Sequence, residues 1–197
     1  HDDIMDEAPL RRGKPTIHTL HGINIGILSG DALLIKAYQF FEDLEPELFK
    51  ECIKIFSETG AVLCEGQQMD VNFETMENVT YDDYIEMITN KTGVRSAASF
   101  QIGALIAGAK KEDAELLYNF GKHIGIAFQI MDDYLDVFGN QEQVGKKHAG
   151  DIYENKKTVL FYFSRLVRII QRVLKININK KIEKYIGFSF THTNDKN

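Results

Sequence analysis

The chain has 197 residues, of which 44% are hydrophobic and 26% charged, a composition typical of a globular protein with one sizeable core. Its two cysteines, Cys52 and Cys64, lack metal-ligand or redox spacing, so we expect reduced thiols, no zinc site and a cytoplasmic setting. No apolar run approaches the roughly 18–20 residues that cross a bilayer, so no transmembrane segment is predicted.

The net charge of -6 is unevenly distributed along the chain. Residues 1–140 carry 11 Lys and Arg against 24 Asp and Glu, a balance of -13, whereas residues 141–197 carry 12 against 5, a balance of +7. A basic tail can contact nucleic acid, but a solvated basic end and cations that serve an anionic ligand are the alternatives. We expect no nucleic-acid partner.

Apolar residues recur at helical spacing through most of the chain. This periodicity predicts helices over 23–44, 46–62, 81–109 and 111–137, the last of them closed by Gly139-Asn140. The polar stretch 66–80 is expected to be a turn or loop. Because no alternating run is bounded by hairpin turns, the predicted fold class is all-α, a bundle of long antiparallel helices around a central cleft.

The tail differs in composition from the rest of the chain, being basic and rich in Ile, Lys and Asn from about residue 161. One amphipathic helix is predicted as far as about residue 173. We therefore expect a core domain over 1–160 and a basic, partly disordered tail over 161–197; the resemblance described below implies that the core is catalytic and that the tail is divergent.

An acidic cluster lies near the end of the helix predicted over 111–137, with the sequence Asp132-Asp133-Tyr134-Leu135-Asp136. Asp132 and Asp136 are four residues apart, so they share a helix face, where like charges destabilise the helix by a few tenths of a kcal/mol, roughly. They lie some twenty residues into the helix, too far from its N-terminus for dipole compensation. A hard divalent cation such as Mg²⁺ would compensate them, and a solvated acidic face is the alternative.

The same D-D-x-x-D spacing occurs at the start of the chain, in Asp2-Asp3-Ile4-Met5-Asp6. One such pentapeptide is weak evidence, but two copies attached to helical segments can face each other across a bundle and hold metal between them. Neither copy has the alternating oxygen ligands, the glycine and the terminal glutamate of an EF-hand.

Cations follow both clusters, as expected for a bound anion. Arg11-Arg12 follows the first cluster, Lys91-Thr92 lies in the third helical segment, and Lys146, Lys156 and Lys157 follow the second cluster. Arginine forks match phosphate oxygens, and lysines act as point charges. Each pair alone would be read as solvated surface charge. Together with two acidic clusters, they favour a diphosphate held between metal and cations.

The chain resembles the trans-type isoprenyl diphosphate synthases, also called polyprenyl synthetases. The resemblance covers roughly residues 1–160. It lies in five stretches: HDDIMDEAPLRRGKPTIH (1–18), GINIGILSGDALLIKAY (22–38), the segment around Lys91-Thr92-Gly93, GIAFQIMDDYLDVFGN (125–140) and GKKHAGDIYENKKT (145–158).

The resemblance implies a Mg²⁺-dependent prenyltransferase, with Mn²⁺ as a possible substitute, that condenses isopentenyl diphosphate with an allylic diphosphate. It implies that Mg²⁺ is held by Asp2, Asp3, Asp6, Asp132, Asp133 and Asp136. It also implies that Arg11, Lys91, Lys146 and Lys156 contact the allylic diphosphate and that Arg12 contacts isopentenyl diphosphate. Lys91, Thr92 and Gln129 would line the reaction centre, and the full-length protein would be a homodimer.

The chain also departs from this pattern. The resemblance begins at the first aspartate cluster, so we expect that N-terminal helices are missing, together with the family's Gly-Lys-x-x-Arg segment and the residues that limit product length. After Lys157-Thr158 the composition changes, which suggests a truncated gene or a shifted frame. The alternatives are a protein like a class I terpene cyclase, or a non-catalytic subunit or inactive fragment of a prenyl synthase.

Overall fold

The predicted all-α fold is confirmed by a computed structural model, which describes residues 1–139, 150–153 and 155–174. The chain forms two compact units, His1–Val159 and Leu160–Asn197. The predicted tail helix is present as a helix over Val159–Leu174. Among the described residues, no helix combines the length and apolar character needed to cross a membrane.

The N-terminal region consists of short elements followed by one longer helix. Helix α1 covers Asp2–Met5, and strands β1 (Leu10–Arg11) and β2 (Lys14–Pro15) form a two-stranded antiparallel hairpin that the sequence did not predict. Helix α2 (Ile17–His21) leads into α3 (Ile23–Gln39), which is the first predicted helix, five residues shorter than expected at its C-terminal end.

Helix α4 is a single helix over Pro46–Thr75, so the turn or loop predicted over 66–80 is wrong for most of its length. Pro46 occupies the first helical turn, where a missing N–H costs no hydrogen bond. The stretch after Gly66 is polar, yet Gly66 and Asp70 are both buried. Because some of the inward-facing positions are not apolar, the spacing of apolar residues does not reveal the helix there.

The third predicted helix is present but contains a π-helical turn. Helix α5 (Tyr81–Ile88) begins with a capping box, in which the Asp83 backbone N–H donates to the Thr80 hydroxyl and the Thr80 N–H donates to the Asp83 carboxylate. The Thr80 backbone and hydroxyl donors hold the pKa of Asp83 below its ordinary value. The π-helical turn covers Thr89–Gly93, and α6 continues over Val94–Ile106.

Helix α7 (Lys111–Phe138) packs against α6 and the π-helical turn through glycines. A Cβ at Gly125 would lie 2.8 Å from the Cα of Gly93, and one at Gly121 would lie 2.9 Å from the Ser96 carbonyl oxygen. Gly121 and Gly125 are four residues apart and share a face of α7, so the two backbones approach closely along it. As predicted, α7 ends at Gly139, whose N–H donates to the Leu135 carbonyl.

An apolar cluster buries parts of α4, α6 and α7 together. Phe41, Cys52, Ala104, Leu105 and Ala114 form its buried centre. In contrast, α3 exposes many of the apolar side chains whose spacing predicted it, including Leu28, Leu34 and Ile35. The periodicity therefore identified the α3 helix correctly without identifying buried positions.

Gly66 permits the closest contact between α4 and the π-helical turn. A Cβ on this residue would lie 2.3 Å from the backbone nitrogen of Lys91 and 2.6 Å from the carbonyl carbon of Asn90. We expect Gly66→Ala to lower the free energy of unfolding by about 1–3 kcal/mol, because backbone atoms cannot move aside as a flexible side chain can. Urea denaturation followed by circular dichroism measures the change.

Gly60 provides the matched control on the same helix. A Cβ there would meet no atom within 4 Å. Gly60→Ala is expected to raise the free energy of unfolding by about 0.5–1 kcal/mol, because alanine is the better helix former. Similar effects of the two substitutions would contradict the close contact at Gly66.

Candidate active site

The second aspartate cluster lies on α7, and one of its carboxylates is both buried and hydrogen-bonded. Asp133 is 4% exposed, and it accepts the Tyr84 hydroxyl at 2.7 Å and the Gln129 side-chain amide at 2.9 Å. The backbone of Val159 also hydrogen-bonds to it. Burial raises the pKa of Asp133, and the hydrogen bonds from Tyr84 and Gln129 oppose that rise.

Tyr84 on α5 is fully buried, and its hydroxyl donates to Asp133. Burial raises the pKa of its phenol, and the neighbouring Asp133 raises it further, so the hydroxyl keeps its proton as a donor. Leaving such a buried donor without a partner costs about 1–3 kcal/mol. The Tyr84–Asp133 bond therefore holds α5 against α7 at the site.

Thr92 and Gln129, both predicted for the reaction centre, lie in contact with each other. The Thr92 hydroxyl donates to the Gln129 side-chain oxygen at 2.8 Å. Thr92 belongs to the π-helical turn, and such turns often occur at functional sites. Because Gln129 also donates to Asp133, three predicted site residues form one hydrogen-bonded series.

The first aspartate cluster is organised by Arg11. Its guanidinium bonds the Asp3 carboxylate through Nε, and Nη2 lies 3.3 Å from an Asp2 carboxylate oxygen. Arg11 ends strand β1, and the hairpin then turns at Arg12 and Gly13, with φ of 53° and 73°. Two consecutive positive φ values are typical of a type I′ turn, and the exposed Arg12 lies at its tip.

Contacts of Lys156 link the two clusters, which are 130 residues apart in sequence. Its ammonium lies 3.5 Å from an Asp6 carboxylate oxygen, and its backbone N–H donates to the Asp151 carbonyl at 2.9 Å. The backbone N–H of Asp151, on helix α8 (Gly150–Tyr153), donates to the Asp136 carboxylate at 3.2 Å. Asp6 and Asp136 are therefore connected through contacts of Lys156 and Asp151.

Lys91, the next predicted cation, pairs with a carboxylate that the sequence did not assign to the site. Its ammonium donates to Asp70 at 2.7 Å, and the two side chains are only 21% and 9% exposed. Asp70 lies within α4, one turn after Gly66, so the close helix contact at Gly66 brings the pair together. In the sequence, Asp70 lies in the polar stretch 66–80, which was predicted to be a turn or loop.

The donor set fits Mg²⁺ in the way this ion usually binds. Carboxylate oxygens are its preferred protein ligands, and one or two of them suffice when substrate phosphates supply others. Within the described residues, no three carboxylate, imidazole or thiolate groups converge as a preformed metal cage. Two separate carboxylate clusters, connected through Lys156, fit a cation that takes its other ligands from a diphosphate.

The contacts of the predicted site residues form four groups: Arg11 with Asp2 and Asp3; Lys156 with Asp6, and through Asp151 with Asp136; Thr92 with Gln129 and Asp133; and Lys91 with Asp70. Arg12 is exposed at the tip of the hairpin, and Lys146 lies outside the described residues. Tyr84 and Asp70 are additional members that sequence reasoning did not assign. Tyr84 had no sequence signal of its own, since a tyrosine in a helix is usually packing.

A family model described as Polyprenyl synthetase matches residues 1–185. The chain belongs to the polyprenyl synthetase family. The match continues past residue 160, where the sequence resemblance was expected to end. All-α architecture and family membership, both predicted, are thereby confirmed.

Similar proteins within the family are prenyl diphosphate synthases. A geranylgeranyl diphosphate synthase of Methanosarcina mazei is 40% identical over 185 residues, which are 93% of this chain and 56% of that protein. A crystal structure of a geranylgeranyl pyrophosphate synthase has a TM-score of 0.78 and 52% identity, covering 82% of this chain and 49% of the other. The chain thus spans about half the length of these relatives.

One solved relative was crystallised with a metal and a diphosphate. It is a geranyltransferase of Helicobacter pylori complexed with magnesium and isoprenyl diphosphate. It is 32% identical with a TM-score of 0.74, and the match covers 81% of this chain and 54% of that one.

The Lys91–Asp70 pair should contribute to stability because it is largely removed from water. We expect Asp70→Ala to lower the free energy of unfolding by about 2–3 kcal/mol, since the Lys91 ammonium then lies half-buried without its carboxylate. Urea denaturation at neutral pH measures this loss.

The Lys54–Glu58 pair is the control on the same helix, at 3.8 Å with side chains 72% and 67% exposed. Glu58→Ala is expected to change the free energy of unfolding by no more than about 0.5 kcal/mol. Equal decreases in the free energy of unfolding for Asp70→Ala and Glu58→Ala would show that burial does not increase the contribution of the Lys91–Asp70 pair to stability.

Proposed function

We propose that this protein carries the diphosphate-binding half of a Mg²⁺-dependent prenyltransferase site. The full reaction would condense isopentenyl diphosphate with an allylic diphosphate to give a longer trans-prenyl diphosphate. The link between the two aspartate clusters through Lys156 and Asp151 supports this most directly. It brings carboxylates and cations together where a diphosphate and its metal need both.

The proposed reaction has three bond changes. The bond between the allylic carbon and the diphosphate oxygen breaks, and its electron pair leaves with the diphosphate. The double bond of isopentenyl diphosphate then forms a carbon–carbon bond to the allylic cation, and a proton leaves the adjacent carbon. Mg²⁺ would stabilise the charge that develops on the leaving diphosphate.

The chain's own residues would divide this task between the two sides of the diphosphate. Asp2 and Asp3 on α1 and Asp6 directly after it, with Asp132 and Asp136 on α7, would hold Mg²⁺. The cations Arg11, Lys91, Lys146 and Lys156 would contact the allylic diphosphate, and Arg12 would contact isopentenyl diphosphate. Arg11, Lys91 and Lys156 are each held in place by an ion pair with a carboxylate. Thr92 and Gln129 would lie beside the reacting carbons.

The two alternative functions considered from the sequence predict other outcomes. A terpene cyclase would convert the allylic diphosphate alone into a hydrocarbon or alcohol, without isopentenyl diphosphate. A non-catalytic subunit or inactive fragment would bind without turnover. Two complete D-D-x-x-D clusters at one site favour elongation.

Binding of a non-ionisable allylic analogue tests the diphosphate site without requiring turnover. Farnesyl thiodiphosphate should bind the chain in Mg²⁺ and lose its affinity in EDTA, measured by isothermal titration calorimetry. Asp132→Asn should weaken binding by about tenfold or more, because one of the carboxylates proposed to hold the metal is lost.

Asp113 supplies the matched control, being exposed in the first turn of the same helix. Asp113→Asn should leave the affinity within about twofold. Metal-independent binding, or an equal loss in both variants, would contradict the proposed site.

Elongation is tested by incubating the chain with Mg²⁺, labelled isopentenyl diphosphate and farnesyl diphosphate. Chromatography of the labelled prenyl diphosphates identifies the product and its length. If the 197 residues give no product while a version extended upstream of His1 elongates, the chain is the proposed half-site. Unlabelled cyclic products would favour the cyclase instead.

A further inference from the structure

A series of side-chain hydrogen bonds, here called the Thr92 series, joins Tyr84, Asp133, Gln129 and Thr92. It consists of Tyr84 to Asp133 at 2.7 Å, Gln129 to Asp133 at 2.9 Å and Thr92 to Gln129 at 2.8 Å. It connects α5, α7 and the π-helical turn, and Tyr84, Asp133 and Thr92 are all buried. Burial makes its partners hard to replace with water.

The chemistry of the four groups determines the direction of the series. A carboxylate accepts hydrogen bonds and donates none, so the Gln129 amide must turn its NH₂ group to Asp133. The carbonyl oxygen of Gln129 then faces Thr92, and because a carbonyl oxygen only accepts, the Thr92 hydroxyl must donate. With its only proton used, Thr92 can meet any other partner only as an acceptor.

The surroundings of Asp133 also differ from those of a metal ligand. Tyr84 donates to one of its oxygens and Gln129 to the other, with the Val159 backbone bonded as well. A cation at this carboxylate would compete with donors that are buried and need an acceptor.

We propose that Asp133 is a positioning residue: through Gln129 it makes Thr92 a hydrogen-bond acceptor at the reaction centre, and it does not bind the metal. Metal binding by the second cluster then rests on Asp132 and Asp136. This inference rests on the proposed function. An acceptor oxygen beside the allylic carbon presents the negative end of its dipole to the developing carbocation.

Asp133→Asn tests the direction of the series. Asparagine can donate to Gln129, so the Gln129 amide can turn over and Thr92 can become the acceptor within the series. In whichever preparation elongates, kcat should fall by about tenfold or more, while KM for the allylic diphosphate stays within about threefold. The half-saturating Mg²⁺ concentration should be unchanged, whereas Asp132→Asn should raise it.

A double-mutant cycle tests whether Asp133 acts through Thr92. Thr92→Val removes the acceptor hydroxyl, and Thr92→Ser should restore most of the rate. Asp133→Asn combined with Thr92→Val should be no slower than the slower single variant, because both changes remove the same interaction. The proposal would be overturned if the fold-decreases in kcat of the two single variants multiplied in the double variant. A higher half-saturating Mg²⁺ concentration in Asp133→Asn would also overturn it.

A spectroscopic readout separates this inference from the proposed function. The Gln129 side-chain amide signals, identified by their loss in Gln129→Glu, should shift in Asp133→Asn and in Tyr84→Phe in the protein without ligand. Asp113→Asn serves as the control and should leave them in place. If no preparation elongates, the proposed function fails, and unshifted Gln129 signals would then overturn the Thr92 series independently.

Discussion

The close approach of α4 to the π-helical turn determines where Lys91 and Thr92 lie. Gly66 allows the α4 backbone to lie against the backbone of Asn90 and Lys91. Asp70, one helical turn further on, then reaches the Lys91 ammonium. On the other side of the turn, Gly93 and Gly125 allow α7 to approach closely as well, and Thr92 contacts Gln129. The absence of a side chain at Gly66, Gly93 and Gly125 thus permits the Lys91–Asp70 and Thr92–Gln129 contacts.

Pairing between carboxylates and cations gives the site its second level of order. Arg11 holds the first cluster, Lys156 reaches Asp6 from 150 residues away, and Lys91 pairs with Asp70. The uneven charge along the chain has a structural counterpart here, because a lysine of the basic segment meets an aspartate of the acidic one. Such an arrangement of both charges suits a ligand that is itself a metal and diphosphate complex.

Predictions from the sequence succeeded where a local period or spacing carried the information and failed where it did not. Apolar periodicity predicted α3 and α7 because apolar residues of each repeat every three to four positions. The second half of α4 was predicted as a loop because its inward residues include Gly66 and Asp70, which an apolar count does not register. The hairpin was missed because each strand has only two residues. In α3, the period was right although many of its apolar side chains are exposed.

The sequence by itself determined the family, the all-α class and the identity of the acidic and basic groups, since these follow from residue types at fixed local spacings. The tertiary structure alone decided which of those groups meet. Asp133 is indistinguishable from Asp132 in the sequence, yet its oxygens accept from Tyr84, 49 residues away, and from Gln129. Asp70 likewise gains its role from Lys91, 21 residues away on another element. Hydrogen-bond partners of this kind are brought together by helix packing, and packing depends on backbone contacts that no local spacing specifies.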